Sequence, residues 1–238
     1  MKYRVGTSGW HYDHWRGEFY PADLPRPRWL EYYAKTFDTV ELNASFYRLP
    51  TESAFAKWRN SAPMGFRYAV KASRFITHIK RLRNVEDELK LFLGRTGPLR
   101  DRLGPVLYQL PPGLKRDDSL LEAFLKLLPK ELQHAFEFRN REWLDEGVFD
   151  LMRRYGAYFC VFDMPGLTTP VVATASFAYV RFHGHTALYY SNYGDEELAE
   201  WVGRIRALKG VSDVYVYFNN DAGGYAVENA LTLRRMLT

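Results

Sequence analysis

Three carboxylates, three fixed cations and one imidazole recur in this 238-residue chain at one kind of position, the downstream end of a short alternating segment. Glu41 and Asn43 end TVELN, Lys71 ends RYAVK, Glu137 and Arg139 lie within HAFEFRNREW (His134–Trp143), and Arg181 and His183 close YVRFH. Gln109, Asp163, Tyr217 and Asn219 hold matching places in the remaining segments. Carboxylates set among cations are what general acid–base chemistry requires, because each neighbouring charge moves a proton affinity. Glu41 or Glu137 would act as base or acid, with His183, directly before Gly184, as proton partner near neutral pH. Glu41 with Lys71, and Glu137 with Asp163, fall on neighbouring segments, so each acid has a partner able to shift it. Lys71, Arg139 and Arg181 would clamp negative charge, and Asn43, Gln109 and Asn219 would read hydroxyl groups. The competing reading is a structural ion network, although an aliphatic filling would avoid desolvating charge at all.

The alternation shows what must hold these groups. Ala135, Glu137 and Arg139 share one strand parity while Phe136 and Phe138 share the other, and the same pattern recurs around Glu41, Lys71 and Arg181. Several edge strands of this kind in one protein are implausible. Strands closed into a ring, with aromatic and aliphatic residues outward on helices and charges inward at one mouth, account for all of them. An open doubly wound sheet would instead give nearly continuous apolar strands. In chain order the strands are Tyr3–Thr7, Thr39–Phe46, Phe66–Ala72, Gly104–Leu110, the stretch from His134, Ala157–Asp163, Phe177–His183 and Val211–Asn219, with helices between them. One crossover breaks the rule. Met164–Ser176 holds Pro165, Gly166 and Pro170 and has no helical period, so a loop is expected between strands six and seven. The expectation is therefore an α/β fold, a single TIM-type (β/α)8 barrel over residues 1–238, with its site at the carboxyl ends of the strands.

Composition sets outer bounds. Hydrophobic residues make up 47% and charged residues 26% of the chain, a globular balance that is neither disordered nor membrane-spanning. The opening residues pass directly into strand-like sequence, leaving no room for a signal peptide, so a cytoplasmic protein is expected. Cys160 is the single cysteine; alternating with Tyr158 and Phe162 on an outward parity, it reads as a buried inert thiol. The net charge of +5 favours anionic partners only weakly.

Three loops face the mouth in this scheme. Trp10, with the aromatic residues that follow as far as Tyr20, could stack a base or a sugar face or simply pack the rim. Lys71–Arg83 (KASRFITHIKRLR) carries five lysines or arginines plus His78 and no acid, a lip for phosphate or nucleic acid or a solvated loop. Gly223 and Gly224 precede the last helix, where free amides would cup an anion unless Asp221 or Asn220 caps them. A divalent site drawn from His183, His185, Glu41, Glu137 and Asp163 is weak, because arginines on the same ring repel a cation. Neither metal nor cofactor is expected.

A set of blocks resembles the YecE-like family, domain of unknown function 72: Gly6-Thr7-Ser8-Gly9-Trp10 with Tyr12, Trp15, Gly17 and Phe19-Tyr20-Pro21, then Val40-Glu41-Leu42-Asn43, Phe46-Tyr47, Val70-Lys71 and Thr77-His78. Gln109-Leu110-Pro111-Pro112, Glu137-Phe138-Arg139, Trp143, Tyr179 through Gly184 and Phe218-Asn219-Asn220 continue it; Tyr68 stands where the family pattern has Phe. The resemblance implies a TIM-type barrel and brings no established reaction. Fold relatives among sugar isomerases and abasic-site endonucleases suggest functions by analogy alone, and the histidine-rich metal set of those endonucleases is missing. The leading expectation is a metal-independent enzyme for a small anionic, hydroxylated substrate, a sugar phosphate or nucleotide. A nucleic-acid-binding protein and a metal-dependent, endonuclease-like phosphodiesterase are the rivals.

Overall fold

The computed structural model describes residues 1–238 as an α/β fold of parallel strands with helices packed on their outer faces. The strands are β1 (Lys2–Thr7), β2 (Thr39–Leu42), β3 (Arg67–Lys71), β4 (Leu103–Leu110), β5 (His134–Phe138), β6 (Tyr158–Phe159), β7 (Val161–Met164), β8 (Leu167–Thr168), β9 (Phe177–Phe182) and β10 (Asp213–Phe218). The helices are α1 (Trp29–Thr36), α2 (Ala44–Tyr47), α3 (Glu52–Ser61), α4 (Glu86–Thr96), α5 (Asp118–Lys126), α6 (Glu146–Tyr155), α7 (Asp195–Arg206) and α8 (Tyr225–Leu237). One sheet has the order β1-β10-β9-β7-β8 and the other β2-β3-β4-β5-β6. Only the β7–β8 pair is antiparallel.

The expected sixth strand is divided at Cys160, whose amide donates to Phe136 O at 2.8 Å, so β6 pairs in one sheet and β7 in the other. No helix follows β7, as the prolines and glycine of that stretch require, and the expected loop begins with a small hairpin to β8. Threonines of this loop complete the strand edge instead: Phe159 N donates to Thr174 Oγ1 and Phe162 N to Thr169 Oγ1, each at 2.8 Å. The strand expected over Thr39–Phe46 stops early, because its last residues turn into α2.

At the opposite seam, β1 approaches β2 through a side chain. Thr7 N donates to the Tyr33 hydroxyl at 3.0 Å, and that hydroxyl donates to Thr39 O at 3.1 Å. Glycine is required beside it, since a Cβ on Gly6 would lie 2.3 Å from Thr39 O. The outer strand faces carry the core: Tyr108 meets Phe124 and Phe136, and Phe182 meets Trp201 and Phe218. The 68 core residues form one continuous cluster. No helix is long and apolar enough to cross a membrane.

Tyr33→Phe removes the bridging hydroxyl and strands two buried backbone groups. We expect a loss of about 1–3 kcal/mol in urea unfolding with an unchanged m-value; an unchanged midpoint would mean that the seam does not rest on this bridge.

Candidate functional site

Arg181, from β9, lies at the centre of the inner face and is completely buried. Its guanidinium donates through Nη2 to Glu41 Oε1 of β2 at 2.8 Å and through Nη1 to Glu137 Oε2 of β5 at 2.5 Å. Arginine suits this place, because its planar fork spans two carboxylates that neither backbone brings together. Glu41 also accepts from Ser8 Oγ at 2.8 Å and from the Tyr179 hydroxyl at 2.6 Å. Arg139 Nε donates to Glu137 Oε1 at 2.6 Å. Burial pushes both carboxyls up, yet Arg181 and these further donors more than offset it and hold both below the usual range. At neutral pH both acids are therefore ion-paired carboxylates, saturated by donors, and not free bases.

His183 is also fully buried. Arg139 Nη2 points at its Nε2 from 3.1 Å, and the Asn219 side-chain amide lies 3.2 Å from Nδ1. A guanidinium only donates, so Nε2 accepts, and the hydrogen left on Nδ1 requires the Asn219 amide to turn its Oδ1 towards it. Burial and the two arginines lower its pKa to about 4, against the opposing pull of Glu137. The imidazole is thus neutral at physiological pH and seats Arg139 rather than shuttling protons. Tyr189 covers it with ring centroids 5.8 Å apart, held at φ 67 by Tyr189 N donating to His183 O and Ala222 N donating to Tyr189 O. Gly184, at φ 93 with Ala187 O where a Cβ would stand, lets the chain double back to bring it there.

Lys71, at the end of β3, is half-buried and forms no ion pair or hydrogen bond. Its ammonium stands 4.2 Å from the Phe46 ring centroid, a cation–π contact. Ser45 Oγ fixes that geometry by donating to Lys71 O at 2.6 Å, which ties α2, and hence Phe46, to the end of β3. His78 comes from a π-helical turn, Phe75–Ile79, and packs edge-on against Phe46 at 5.0 Å. Burial first, then Arg181 and Arg139, lower the Lys71 pKa to about 8 in spite of Glu137 and Glu41. Gln109 Nε2 lies 3.5 Å from His78 Nε2. Asn43 is half-buried, with an Oδ1 that has no partner, and the buried Trp10 Nε1 has none either.

Four expectations need correction. Asp163 faces away from this cluster, accepting from Tyr193 at 2.8 Å and from Thr168, with His185 at 3.2 Å on the α7 side. The divided strand carries Phe159 outward against Phe149 of α6, so Tyr158, Cys160 and Phe162 point inward; here the inner parity is apolar and polarity misleads. Cys160 is nevertheless fully buried, and burial pushes its thiol well up, so it is inert. Tyr217 is buried beneath the site with its hydroxyl 2.6 Å from Thr39 Oγ1, out of reach of a ligand. The Gly223-Gly224 turn is not an anion cup. Asp221 fills it, bound by Trp15 Nε1 at 3.0 Å, by His14 Nε2 at 2.9 Å and by the Ala226 amide, and Glu18 and Glu228 line the adjoining cavity of about 670 Å³. In the basic lip, Arg83 pairs with Asp117 and Lys80 approaches Glu88, which leaves Arg74 and Arg81. Ser8, Phe46, Tyr179 and Tyr189 are site residues that residue type and spacing did not single out, although Ser8, Phe46 and Tyr179 lie within the family-like blocks. No three His, Cys, Asp or Glu side chains converge to hold a metal ion.

The family model described as "Protein of unknown function DUF72" matches residues 4–238. The chain belongs to the DUF72 family. UPF0759 protein YunF of Bacillus subtilis is 28% identical over 267 aligned positions, covering 98% of this chain and 94% of that relative. UPF0759 protein YecE of Escherichia coli is 33% identical over 129 positions, 51% of this chain and 47% of its own. The crystal structure of a DUF72 family protein from Thermotoga maritima is similar over 100% of this chain and 99% of its own, with 31% identity and a TM-score of 0.90. None of these descriptions names a reaction.

The folded His183 resists a proton that the unfolded chain accepts, so its contribution is complete above pH 6.5 and lost as pH falls towards about 4, roughly 3 kcal/mol in all. His183→Gln should flatten the stability profile in that window, measured by urea unfolding; an undiminished slope would mean that other groups, such as His134, take up the proton.

Proposed function

We propose that residues 1–238 form a single closed (β/α)8 barrel whose mouth is the active site of a metal-independent enzyme for a small anionic, hydroxylated substrate, a sugar phosphate or nucleotide. Three features support the barrel: the strand divided at Cys160 pairs in both sheets, Tyr33 bridges β1 to β2, and Arg181 joins Glu41 and Glu137 across the interior.

The observation that carries the function is the charge balance. Arg181, Arg139 and Lys71 oppose Glu41 and Glu137 around a neutral His183, which leaves one positive charge in excess. The excess lies on the two groups that reach solvent, Lys71 and the outer edge of Arg139. A phosphate or carboxylate there completes the balance, whereas a divalent cation meets the guanidinium groups that already hold both carboxylates. Lys71 and His78, both with lowered pKa values and both unpaired with acid, take the acid–base role first expected of Glu41, Glu137 and His183. Asn43, Gln109 and Asn219 stand around them as hydroxyl readers, and Trp10 presents its unpartnered indole N–H near the rim.

One observation favours a second reading, the nucleic-acid binder. Phe75 and Ile79 are exposed beside Arg74 and Arg81, a pairing suited to stacking on a charged strand.

A thermal-shift series with phosphorylated metabolites tests the first reading. At a hundredfold excess over Kd a ligand adds about 2.7 kcal/mol, or roughly 5–10 °C for a chain of this size, and Arg139→Gln should abolish the shift. If no phosphorylated compound stabilises the protein, the reading fails. Single-stranded DNA binding that is lost in Arg74→Glu/Arg81→Glu and unaffected by Arg139→Gln would support the second instead.

A further inference from the structure

We propose that Lys71 is a covalent catalyst, its amine condensing with the carbonyl carbon of an anionic aldehyde or ketone to form an iminium ion at the mouth. The inference rests on the anion-binding reading above and names the substrate class, a phosphorylated or carboxylated hydroxy-carbonyl compound.

The geometry separates Lys71 from every other nucleophile of the interior. Cys160 is sealed beneath the charge cluster, the hydroxyls of Tyr179 and Tyr217 are committed to Glu41 and Thr39, and Ser8 is committed to Glu41. Lys71 is the one amine or thiol there that combines access to solvent with a side chain free of any hydrogen bond or ion pair, and the face of Phe46 steers its ammonium without accepting a proton. Arg181 and Arg139 stand on the β9 and β5 sides, Glu137 and Glu41 behind them on β5 and β2, and His78 on the π-helical turn. Crowding by burial and two guanidinium groups is the arrangement that frees a lysine amine. With a pKa of about 8, roughly a hundredfold or more of the amine is unprotonated at pH 7.5 compared with an ordinary lysine.

The step balances without oxidant or reductant. The Nζ lone pair forms the C–N bond, the carbonyl oxygen takes up protons and leaves as water, and amine plus carbonyl plus one proton gives iminium plus water. Arg139, beside the forming bond, holds the substrate anion. The iminium is an electron sink that labilises a C–H or C–C bond on the adjacent carbon, which places the reaction among lyases or isomerases.

Glycolaldehyde phosphate with sodium cyanoborohydride tests this on the full chain at pH 7.5, read by peptide mass mapping. The expected result is one reduced adduct, on Lys71, formed at least tenfold faster than on the exposed Lys90 or Lys115, and suppressed by excess inorganic phosphate. Lys71→Arg should lose the adduct while inorganic phosphate still raises its Tm, which shows that the variant folds and binds the anion. Labelling spread evenly over surface lysines, with phosphate still stabilising the wild type, overturns the covalent role and leaves anion binding standing. Even labelling together with no phosphate stabilisation removes both.

Discussion

Everything at the mouth depends on one guanidinium group held out of water. Arg181 touches a carboxylate on each side of the interior, Glu41 from β2 and Glu137 from β5, and all three side chains are fully buried. Such a triad is not obviously a source of stability, because the desolvation of its members absorbs most of the attraction. Its value is positional. Removing any member would leave an unpaired buried charge, so the three hold one another in a single arrangement, and Arg139, His183 and Tyr189 are layered on top of them. The floor of the site is rigid for the same reason that it is chemically quiet.

That quietness directs the proposed chemistry outward. Residues that look like acids and bases by type become fixed counter-ions once they are paired, and the imidazole between the arginines cannot hold a second proton at neutral pH. The surplus positive charge and the unpaired amine belong to the rim, where β3 ends, α2 supplies Phe46 and the π-helical turn supplies His78. A membership of the DUF72 family spanning residues 4–238 is consistent with blocks such as Val40–Asn43, Val70-Lys71 and Tyr179–Gly184, which carry this floor and rim.

Much of this was legible in the chain because charge alternates with aromatics wherever a strand faces the interior. Glu41, Lys71, Glu137, Arg139, Arg181, His183 and Asn219 converge as that parity requires. The reading failed where the inner parity is apolar: at Tyr158, Cys160 and Phe162 polarity pointed to the wrong face, and Asp163 was assigned inward when it anchors the α7 side. At the Gly223-Gly224 turn the alternative of an Asp221 cap holds rather than the anion cup, but sequence alone could not show that Trp15 and His14, some two hundred positions earlier, would fix that carboxylate. Ser8 and Tyr179 stood in the family-like blocks but gained no role from residue type, since a hydroxyl shows its part only once its acceptor is known. Nor does residue type reveal which of several charges is already paired, and pairing is what distinguishes Lys71 from Glu137.

The central claim is that a buried, arginine-anchored floor leaves Lys71 as the one unpaired, easily deprotonated amine of the mouth. Titration of the Lys71 ε-carbon by carbon-13 NMR in lysine-labelled protein, assigned with Lys71→Arg, tests it most directly. The account predicts a midpoint near 8. A midpoint at the ordinary lysine value of about 10.4 would contradict it, because the amine would then be hydrated or paired and the arginine field would not reach it.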